Sequence, residues 1–439
     1  MLKEEQVRLL KGLISHLDDG TNVDAKGIVE NPADTYTSEE RFAEEKNKFF
    51  KEYPQIIGMT GDLPEPGSFM TIEDFDVPIL ATRDENGSFR AFANVCAHRA
   101  VIVENEKKGL KSKFSCPFHG WTYNNKGKLI GFPKPDHFGH IDKSCYGLKE
   151  LPCKEEYGFL WVHPNPEGVI DLNELLGSKL IEEFDSWGFE NLILREEVEY
   201  VTDMNWKLAI DTFGESYHFS TLHKDSLFES FHGNVQMFDS FERNSRITLC
   251  KRDIDTMKKE PEEDWHICRG AFPVYFLFPN IILNVSEFGI ILVREYPMED
   301  SPHKSVSKVS FYYRSEVLEE LERINVALDE IGSDGFGSII RDEDYVVAAA
   351  SHKGMKSGVV DAITFMLPFS NAGLIILAIS ILLPLPVAPA PTIMCASSMN
   401  NIHFPFLSNA FTISFNLSSK SPLNLDPAIK EFISKFQTM

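Results

Sequence analysis

Two short segments constrain this chain more than any other feature: Cys96-Ala-His98 and Cys116-Pro-Phe-His119, which are separated by seventeen residues. Each segment carries one thiol and one imidazole, and the proline and glycine beside the second pair favour a tight loop. Residues 94–96 are typical of a strand that runs into the first loop, and residues 118–123 of a second loop that leads back into a strand. The pattern therefore predicts two loops that meet at their tips.

Two thiolates and two imidazoles are the donor set of a Rieske [2Fe-2S] centre, in which the cysteines bind one iron and the histidines bind the other. A zinc site uses the same ligand types in tetrahedral geometry, although zinc seldom takes a Cys-x-His pair. Four structural residues without a metal are the remaining alternative. We predict the cluster, with four ligands: Cys96, His98, Cys116 and His119.

A second histidine pair, His218 and His223, follows about a hundred residues later, and Glu215 precedes the first of them by three residues. A mononuclear Fe(II) site takes two histidines and one carboxylate and leaves positions open for dioxygen and substrate. Such a pair is a weak signal by itself, because ordinary histidines are common on surfaces and in cores. The acidic run at residues 342–344 offers a carboxylate, but acidic residues also favour the first turn of any helix.

Together these motifs resemble the Rieske non-heme iron oxygenases, in particular large (alpha) subunits of the aromatic-ring-hydroxylating dioxygenase type. Arg99 after the first histidine and Phe118 before the second favour this family, because the Rieske subunits of respiratory and photosynthetic cytochrome complexes carry a further, disulfide-forming cysteine in each loop. Residues 215–223 are similar to the family's D/E-x-x-H-x4-H motif, and residues 339–354 to the helix that supplies the third iron ligand. The resemblance implies a mononuclear Fe(II) held by three residues, with Asp342 as the second choice of carboxylate: His218, His223 and Asp344.

The resemblance also implies an activity: the chain is expected to be an oxidoreductase, a Rieske dioxygenase or monooxygenase. Electrons arrive singly at the cluster, which its histidine ligands make easier to reduce, and pass to the iron that activates dioxygen. In the family the cooperating centres lie in neighbouring subunits of a homotrimer, with or without a beta subunit. Glu215 is expected to bridge the two centres through hydrogen bonds, although many relatives carry aspartate there.

Electrons must come from a separate protein, because no glycine-rich dinucleotide fingerprint follows a predicted strand. The glycines at Gly332, Gly335 and Gly337 have the wrong spacing for that motif. We therefore expect an NAD(P)H-dependent reductase, with or without a ferredoxin, as partner.

Substrate identity is less constrained by the sequence. Hydroxylation of an aromatic ring is the commonest role in the family. Two alternatives stay open: a monooxygenase or demethylase for a quaternary amine such as choline or carnitine, held by an aromatic cage, or an electron-transfer Rieske protein without oxygenase activity. Aromatic residues on predicted strands are candidate pocket residues, although they more often belong to cores: Phe272, Tyr275, Phe276, Phe278 and Phe288.

At 439 residues the chain is long enough for two domains with separate cores. We expect an α+β fold, with a small all-β Rieske domain followed by a helix-grip catalytic domain, in which helices cover an antiparallel sheet. The expected segments are a helical N-terminal lead-in (1–55), the Rieske domain (56–165), the catalytic domain (175–361), an atypical charge-free segment (362–425) and a C-terminal helix (426–439).

The charge-free segment departs from the family. Residues 362–419 contain no Asp, Glu, Lys or Arg, an event with a chance on the order of 10⁻⁷ in a chain that is 25% charged. A membrane anchor is one explanation, but the apolar run at 372–383 is shorter than the roughly twenty residues of a membrane span. We also consider translation from an altered reading frame, which inspection of the coding DNA tests.

The net charge of −23 argues against nucleic acid or an anionic membrane as partner, because phosphate groups need a basic surface. Seven scattered cysteines, an odd number, predict reduced thiols, and the first residues lack the pattern of a signal peptide. We expect a cytoplasmic protein.

Overall fold

The computed structural model describes residues 1–21, 27–214, 216, 218–324, 331–367 and 412–413. The chain divides into two compact units. The larger unit comprises Met1–Phe42, Glu196–Phe311 and Val317–Met439, and the smaller unit comprises Ala43–Arg195 and Tyr312–Glu316.

The α-helices are α1 (Lys3–Asp19), α2 (Asp34–Thr37), α3 (Glu39–Glu45), α4 (Leu172–Leu176), α5 (Ser178–Asp185), α6 (Trp206–Phe213), α7 (Ile254–Met257), α8 (Ile267–Gly270), α9 (Ser315–Arg323), α10 (Gly337–Ile339) and α11 (Tyr345–Lys356). Segments of π-helix cover Lys46–Lys51, Gly332–Phe336 and Ile340–Asp344, and short 3₁₀ turns cover Thr60–Asp62, Pro135–Phe138, Lys143–Tyr146, Phe189–Asn191 and Glu262–Asp264.

The strands are β1 (Gly27–Pro32), β2 (Gln55–Met59), β3 (Ser68–Ile72), β4 (Ile79–Arg83), β5 (Phe89–Ala93), β6 (Lys108–Leu110), β7 (Lys113–Ser115), β8 (Thr122–Asn124), β9 (Leu129–Gly131), β10 (Glu150–Leu151), β11 (Cys153–Glu156), β12 (Phe159–Val162), β13 (Ile193–Thr202), β14 (Phe231–Phe241), β15 (Asn244–Lys251), β16 (Ala271–Leu277), β17 (Ile281–Val285), β18 (Gly289–Met298), β19 (Ser301–Tyr313), β20 (Ala362–Leu367) and β21 (Thr412–Ile413).

Small antiparallel sheets build the smaller unit. Their strand orders are β10-β5-β4-β3-β6, β11-β12-β2 and β7-β8-β9. The first cysteine–histidine loop follows β5, and the second connects β7 to β8. Cys96 and Cys116 lie in the same buried cluster as Phe69, Phe92 and Tyr123. The packing that folds these sheets therefore also positions the two thiols.

A large sheet organises the larger unit, with the order β13-β19-β18-β17-β16-β15-β14, and β21 pairs with β15. Strands β14 to β18 pair in antiparallel fashion. Because side chains alternate along a strand, each strand sends every second residue to the same face of the sheet. We call the face that carries Arg246 the outer face and the opposite one the inner face. A separate pair joins β1 to β20.

Helix α1 covers the outer face. Arg246 of β15 donates from Nη2 to Glu5 Oε1 at 2.6 Å, and Gly12 lies against the side chain of Met237. The apolar side of the helix is fully buried and consists of Leu9, Leu10 and Leu13. Burial of each such side chain contributes about 1.5–3 kcal/mol, which explains why this N-terminal helix docks.

Three contacts identify what lies over the inner face. Ser216 Oγ donates to Gln236 Oε1 at 3.4 Å, the rings of Phe272 and Phe336 lie 6.4 Å apart, and Tyr345 Oη donates to Glu295 Oε1 at 2.7 Å. Burial raises the pKa of Glu295 to about 8, although the hydroxyls of Ser307 and Tyr345 oppose the shift. The inner face therefore packs against the segments that carry His218 and Asp344.

The predicted α+β class is confirmed: β sheets form the smaller unit, and a sheet with helices forms the larger one. The predicted domain boundaries stay predictions. Of the candidate pocket aromatics, Phe272 and Phe276 lie on the inner face, because they pair across strands with Leu249 and Ser245. Tyr275 instead faces outward, with the Arg246 guanidinium 5.9 Å from its ring.

Most of the unusual C-terminal segment, including the apolar run at 372–383 and the predicted helix at 426–439, lies outside the described residues. Within the part of the chain that the structure describes, no helix has the length and apolar character that crossing a membrane requires.

Candidate metal centres

The two cysteine–histidine loops share one local construction. The N–H of Ala100 donates to Cys96 O at 2.9 Å, and the N–H of Gly120 donates to Cys116 O at 2.9 Å. Both closing residues have a positive φ, 56° at Ala100 and 68° at Gly120. Glycine adopts this conformation freely, whereas alanine pays about 1–2 kcal/mol for it. The loops therefore present their ligands in matching fashion.

The imidazoles of His98 and His119 face each other, with ring centroids 4.6 Å apart. Nδ1 of each ring is buried and has no hydrogen-bond partner, although buried polar atoms nearly always have one. The thiols of Cys96 and Cys116 are buried as well. Two unpaired imidazole nitrogens beside two buried thiols are the donor set of a Rieske cluster, so the residues present fit the predicted group.

Aromatic residues enclose these ligands. Trp121 stacks on His98 with ring centroids 5.0 Å apart, and the Tyr123 hydroxyl lies 3.3 Å from Cys96 Sγ. Burial raises the pKa of Cys116 and lowers the pKa of His98. The imidazole is therefore already in the neutral form that binds metal, whereas the thiol must release its proton. The sequence prediction did not single out Trp121 or Tyr123, whose only signal is their position directly after the second loop.

The second predicted site brings His218, His223 and Asp344 together. The Nε2 atoms of the two histidines are 3.2 Å apart, and Asp344 Oδ1 lies 3.3 Å from the first and 3.2 Å from the second. Three ligand atoms bound at about 2.0–2.2 Å and at right angles to each other would be separated by roughly 3 Å. Among the described residues this is the one group of three metal-ligating side chains whose ligand atoms all lie within 4.8 Å of one another. The triangle fits two histidines and one carboxylate on one side of an iron.

Local structure explains this convergence. His218 and His223 share an irregular helical turn after α6, in which the N–H of Leu222 donates to His218 O at 2.7 Å and the N–H of His223 donates to Phe219 O at 3.1 Å. Asp344 ends the π-helical segment that leads into α11. Such widened turns are rare in proteins, and those that occur often lie at functional sites.

Glu343, which the sequence did not single out, contacts His223 from the other side. Its Oε2 lies 2.8 Å from His223 Nδ1 and accepts a hydrogen bond from Ser226 Oγ at 2.9 Å. Burial lowers the pKa of His223, but the hydrogen bonds to Asp344 and Glu343 outweigh it and raise that pKa. Burial opposes ionisation of Asp344, but His218 and His223 lower its pKa overall. A proton on Nδ1 of His223 leaves Nε2 free to bind a metal.

We predict that Glu343→Ala weakens iron binding about 10–100-fold, because His223 loses the acceptor that fixes its tautomer and orientation. Glu343→Gln, which keeps an acceptor, should recover part of the affinity. Iron titration of chelator-treated protein measures both effects. The matched control is Asp342→Ala, since the Asp342 carboxylate is exposed and pairs with Arg341 instead of with a histidine. Equal affinity in Glu343→Ala and the wild type would contradict the prediction.

Asp342, the second choice of carboxylate, does not join this triangle and instead accepts hydrogen bonds from Arg341 at 2.7 Å and 2.6 Å. Glu215, the predicted bridge, lies outside the described residues, so its role stays a prediction.

Comparison with known proteins identifies both units. Residues 54–152 match the Rieske [2Fe-2S] domain, and residues 189–371 match the catalytic domain of the ring hydroxylating alpha subunit. The cofactors of these two domains are a [2Fe-2S] cluster and a mononuclear iron.

Relatives of known function are similar over part of their length. The glycine betaine monooxygenase oxygenase subunit of Chromohalobacter salexigens is 31% identical over 198 residues, 45% of this chain and 43% of that protein. Toluate 1,2-dioxygenase subunit alpha of Pseudomonas putida is 32% identical over 206 residues, 45% of each chain. The chain thus spans about half the length of these relatives.

Solved structures share the fold. The quaternary ammonium Rieske monooxygenase CntA with L-carnitine has a TM-score of 0.64 at 20% identity, over 80% of this chain and 94% of that one. Naphthalene 1,2-dioxygenase from Rhodococcus sp. with indole has a TM-score of 0.61 at 19% identity, over 86% of this chain and 98% of that one. The chain therefore combines a Rieske domain with the catalytic domain of a ring hydroxylating alpha subunit, and its relatives are large subunits of Rieske oxygenases.

Proposed function

We propose that this protein is the oxygenase component of a multicomponent Rieske oxygenase and that it hydroxylates an organic substrate of the aromatic class with dioxygen. The observation that supports this most is the presence of two complete donor sets in one chain. One set combines two buried thiols with two unpaired imidazole nitrogens, and the other is the triangle of His218, His223 and Asp344.

Each set has an assigned cofactor. Cys96, Cys116 and the Nδ1 atoms of His98 and His119 would hold the cluster, and the triangle would hold the mononuclear iron. When bound, the two groups supply single-electron transfer and dioxygen activation. The protein orients their ligands: Trp121 packs flat against His98, and Glu343 holds the Nδ1 side of His223.

The proposal includes partners. Electrons would come from a ferredoxin, an NAD(P)H-dependent reductase or both, in line with the missing dinucleotide motif in the sequence. The subunits would form a homotrimer, with or without a beta subunit, in which Glu215 connects the cluster of one subunit to the iron of the next. We place the protein in the cytoplasm, because none of the cysteines in the described ranges is in a disulfide.

A second candidate is oxidation of a quaternary amine. Its support is the similarity to the glycine betaine monooxygenase subunit, at 31% identity, and the common fold with the carnitine-bound monooxygenase.

The test begins with anaerobically purified protein. We expect about three irons and two acid-labile sulfides per chain, and a Rieske-type electron paramagnetic resonance signal after dithionite reduction. The reduced protein is then exposed to dioxygen with toluate, naphthalene, L-carnitine and glycine betaine as separate probes. Hydroxylated toluate or naphthalene supports the proposal, and oxidation of the amines alone supports the second candidate. Two irons with two sulfides and no product would indicate an electron carrier, and zinc alone would overturn the proposal.

A further inference from the structure

The side-chain amide of Asn284 is buried without a partner. Asn284 lies on β17 and is 1% exposed. Neither its Nδ2 nor its Oδ1 has a hydrogen-bond partner, and among the described residues no other side chain has both a nitrogen and an oxygen in this state. An amide left unsatisfied in a protein interior destabilises the folded state relative to a paired one. Such a group calls for an explanation.

The strand register shows which way Asn284 points. It pairs with Val274 of β16 and Ile291 of β18. Val274 in turn pairs with Ile247 of β15, whereas the next residue, Tyr275, pairs with Arg246 of the outer face. Because directly paired residues share a face, Asn284 lies on the inner face.

The inner face is the side of the sheet toward the iron ligands. Residues of β14, β16 and β18 contact Ser216, Phe336 and Tyr345, respectively. Strands β14 and β16 lie on one side of β17 in the sheet and β18 lies on the other. Ser216 is two residues from His218, and Tyr345 directly follows Asp344. Asn284 therefore occupies the middle of the surface over which both ligand segments lie.

The immediate neighbours of this amide on the sheet are apolar. Its two cross-strand neighbours are Val274 and Ile291, and Ile282 is the next residue of β17 on the same face. Such a surface suits the hydrocarbon body of a substrate, with a single polar group to fix its orientation. Neither cross-strand neighbour offers a countercharge to a charged substituent, whose burial is costly.

We propose that Asn284 is a substrate-binding residue that hydrogen-bonds a neutral polar group, such as a carbonyl or hydroxyl, on an otherwise apolar substrate. This rests on the proposed function, since it assigns a substrate contact to the same catalytic domain. It narrows the proposed substrate class from aromatic compounds in general to aromatic compounds that carry a neutral hydrogen-bonding substituent.

Two isosteric probes test the proposal: acetophenone and α-methylstyrene, which differ only in a carbonyl oxygen against a methylene group. Equilibrium dialysis of the anaerobic, reduced holoenzyme measures their binding without turnover. We expect the wild type to bind acetophenone about tenfold more tightly, the effect of one hydrogen bond. Asn284→Leu, of similar volume, should bind the two probes equally. Leu283→Ile is the matched control and should keep the preference, because Leu283 pairs with Tyr275 and so lies on the outer face of the same strand.

A second measurement separates a binding role from a structural one. Because leucine removes an unsatisfied amide, Asn284→Leu should melt a few degrees higher than the wild type. An unchanged probe preference in Asn284→Leu overturns the proposal, as does an equal affinity of the wild type for both probes. If Asn284→Leu does not accumulate, Asn284→Ala serves for the same comparison. The probe preference is measured without turnover, so the two proposals can fail separately. A preference for acetophenone without any hydroxylated product would support the role of Asn284 and contradict the proposed function. Hydroxylated product without a probe preference would support the proposed function and contradict the role of Asn284.

Discussion

Asp344→Ala is expected to abolish substrate oxidation and to reduce the iron content from about three to about two per chain. Within the described residues, Asp344 Oδ1 is the only carboxylate oxygen within 3.3 Å of Nε2 of both His218 and His223. Alanine at this position leaves two ligands, too few to retain iron against a chelator. The sulfide content and the cluster's paramagnetic resonance signal should not change, because Asp344 belongs to the larger unit and the cluster ligands to the smaller one. Metal analysis and spectroscopy on one preparation measure both.

Asp342→Ala provides the control for this variant. Asp342 is two residues away, and its carboxylate accepts hydrogen bonds from Arg341 instead of the histidines. The control should keep three irons and full activity. If Asp342→Ala instead lost the iron while Asp344→Ala retained it, the assignment of the third ligand would have to be exchanged.

The sequence predicts the ligands that short spacing brings together. His218 and His223 share one turn, and the two cysteine–histidine pairs each share one loop, so local geometry alone places them side by side. Asp344 is different, because more than a hundred residues separate it from the histidines. Its assignment depends on the family resemblance, because the acidic run by itself favours an ordinary helix start.

Other residues near the iron site could not be predicted, because their orientation depends on strand register and on helix rotation, which composition does not encode. Glu343 faces His223 while its neighbour Asp342 faces Arg341, and only the π-helical segment before α11 decides between them. Asn284 is one polar residue in an apolar strand, and the cross-strand pairs decide which face it occupies.

Strand pairing is equally hard to predict from the sequence. The pairing of β14 with β15 shifts register between Phe231 and Gln236, which a regular alternation of side chains does not anticipate. Strand β1 pairs with β20, more than three hundred residues later. Helix α1 agrees with the predicted helical lead-in, but its docking on the outer face depends on Arg246 and Met237, which lie far along the chain.

Cys116→Ala is expected to remove the cluster entirely, lowering the sulfide content from about two per chain to none and eliminating the Rieske signal. One iron of the cluster would keep a single thiolate from Cys96, which does not hold it. The loops would also lose the bridge between them, so the melting temperature of the smaller unit should fall by about 10 °C, since binding free energy at a metal site is folding free energy. Sulfide assay, spectroscopy and calorimetry measure the three effects.

Cys145→Ala separates loss of the cluster from loss of a thiol. Cys145 is exposed, whereas Cys116 is buried with its N–H donating to Trp121 O at 2.8 Å. The control should retain two sulfides and the wild-type melting temperature. The larger unit gives a second check, because His218, His223 and Asp344 are intact in both variants and should still bind one iron per chain. A Rieske signal that persisted in Cys116→Ala would show that the cluster has other ligands, and the matching construction of the two loops would then need another explanation.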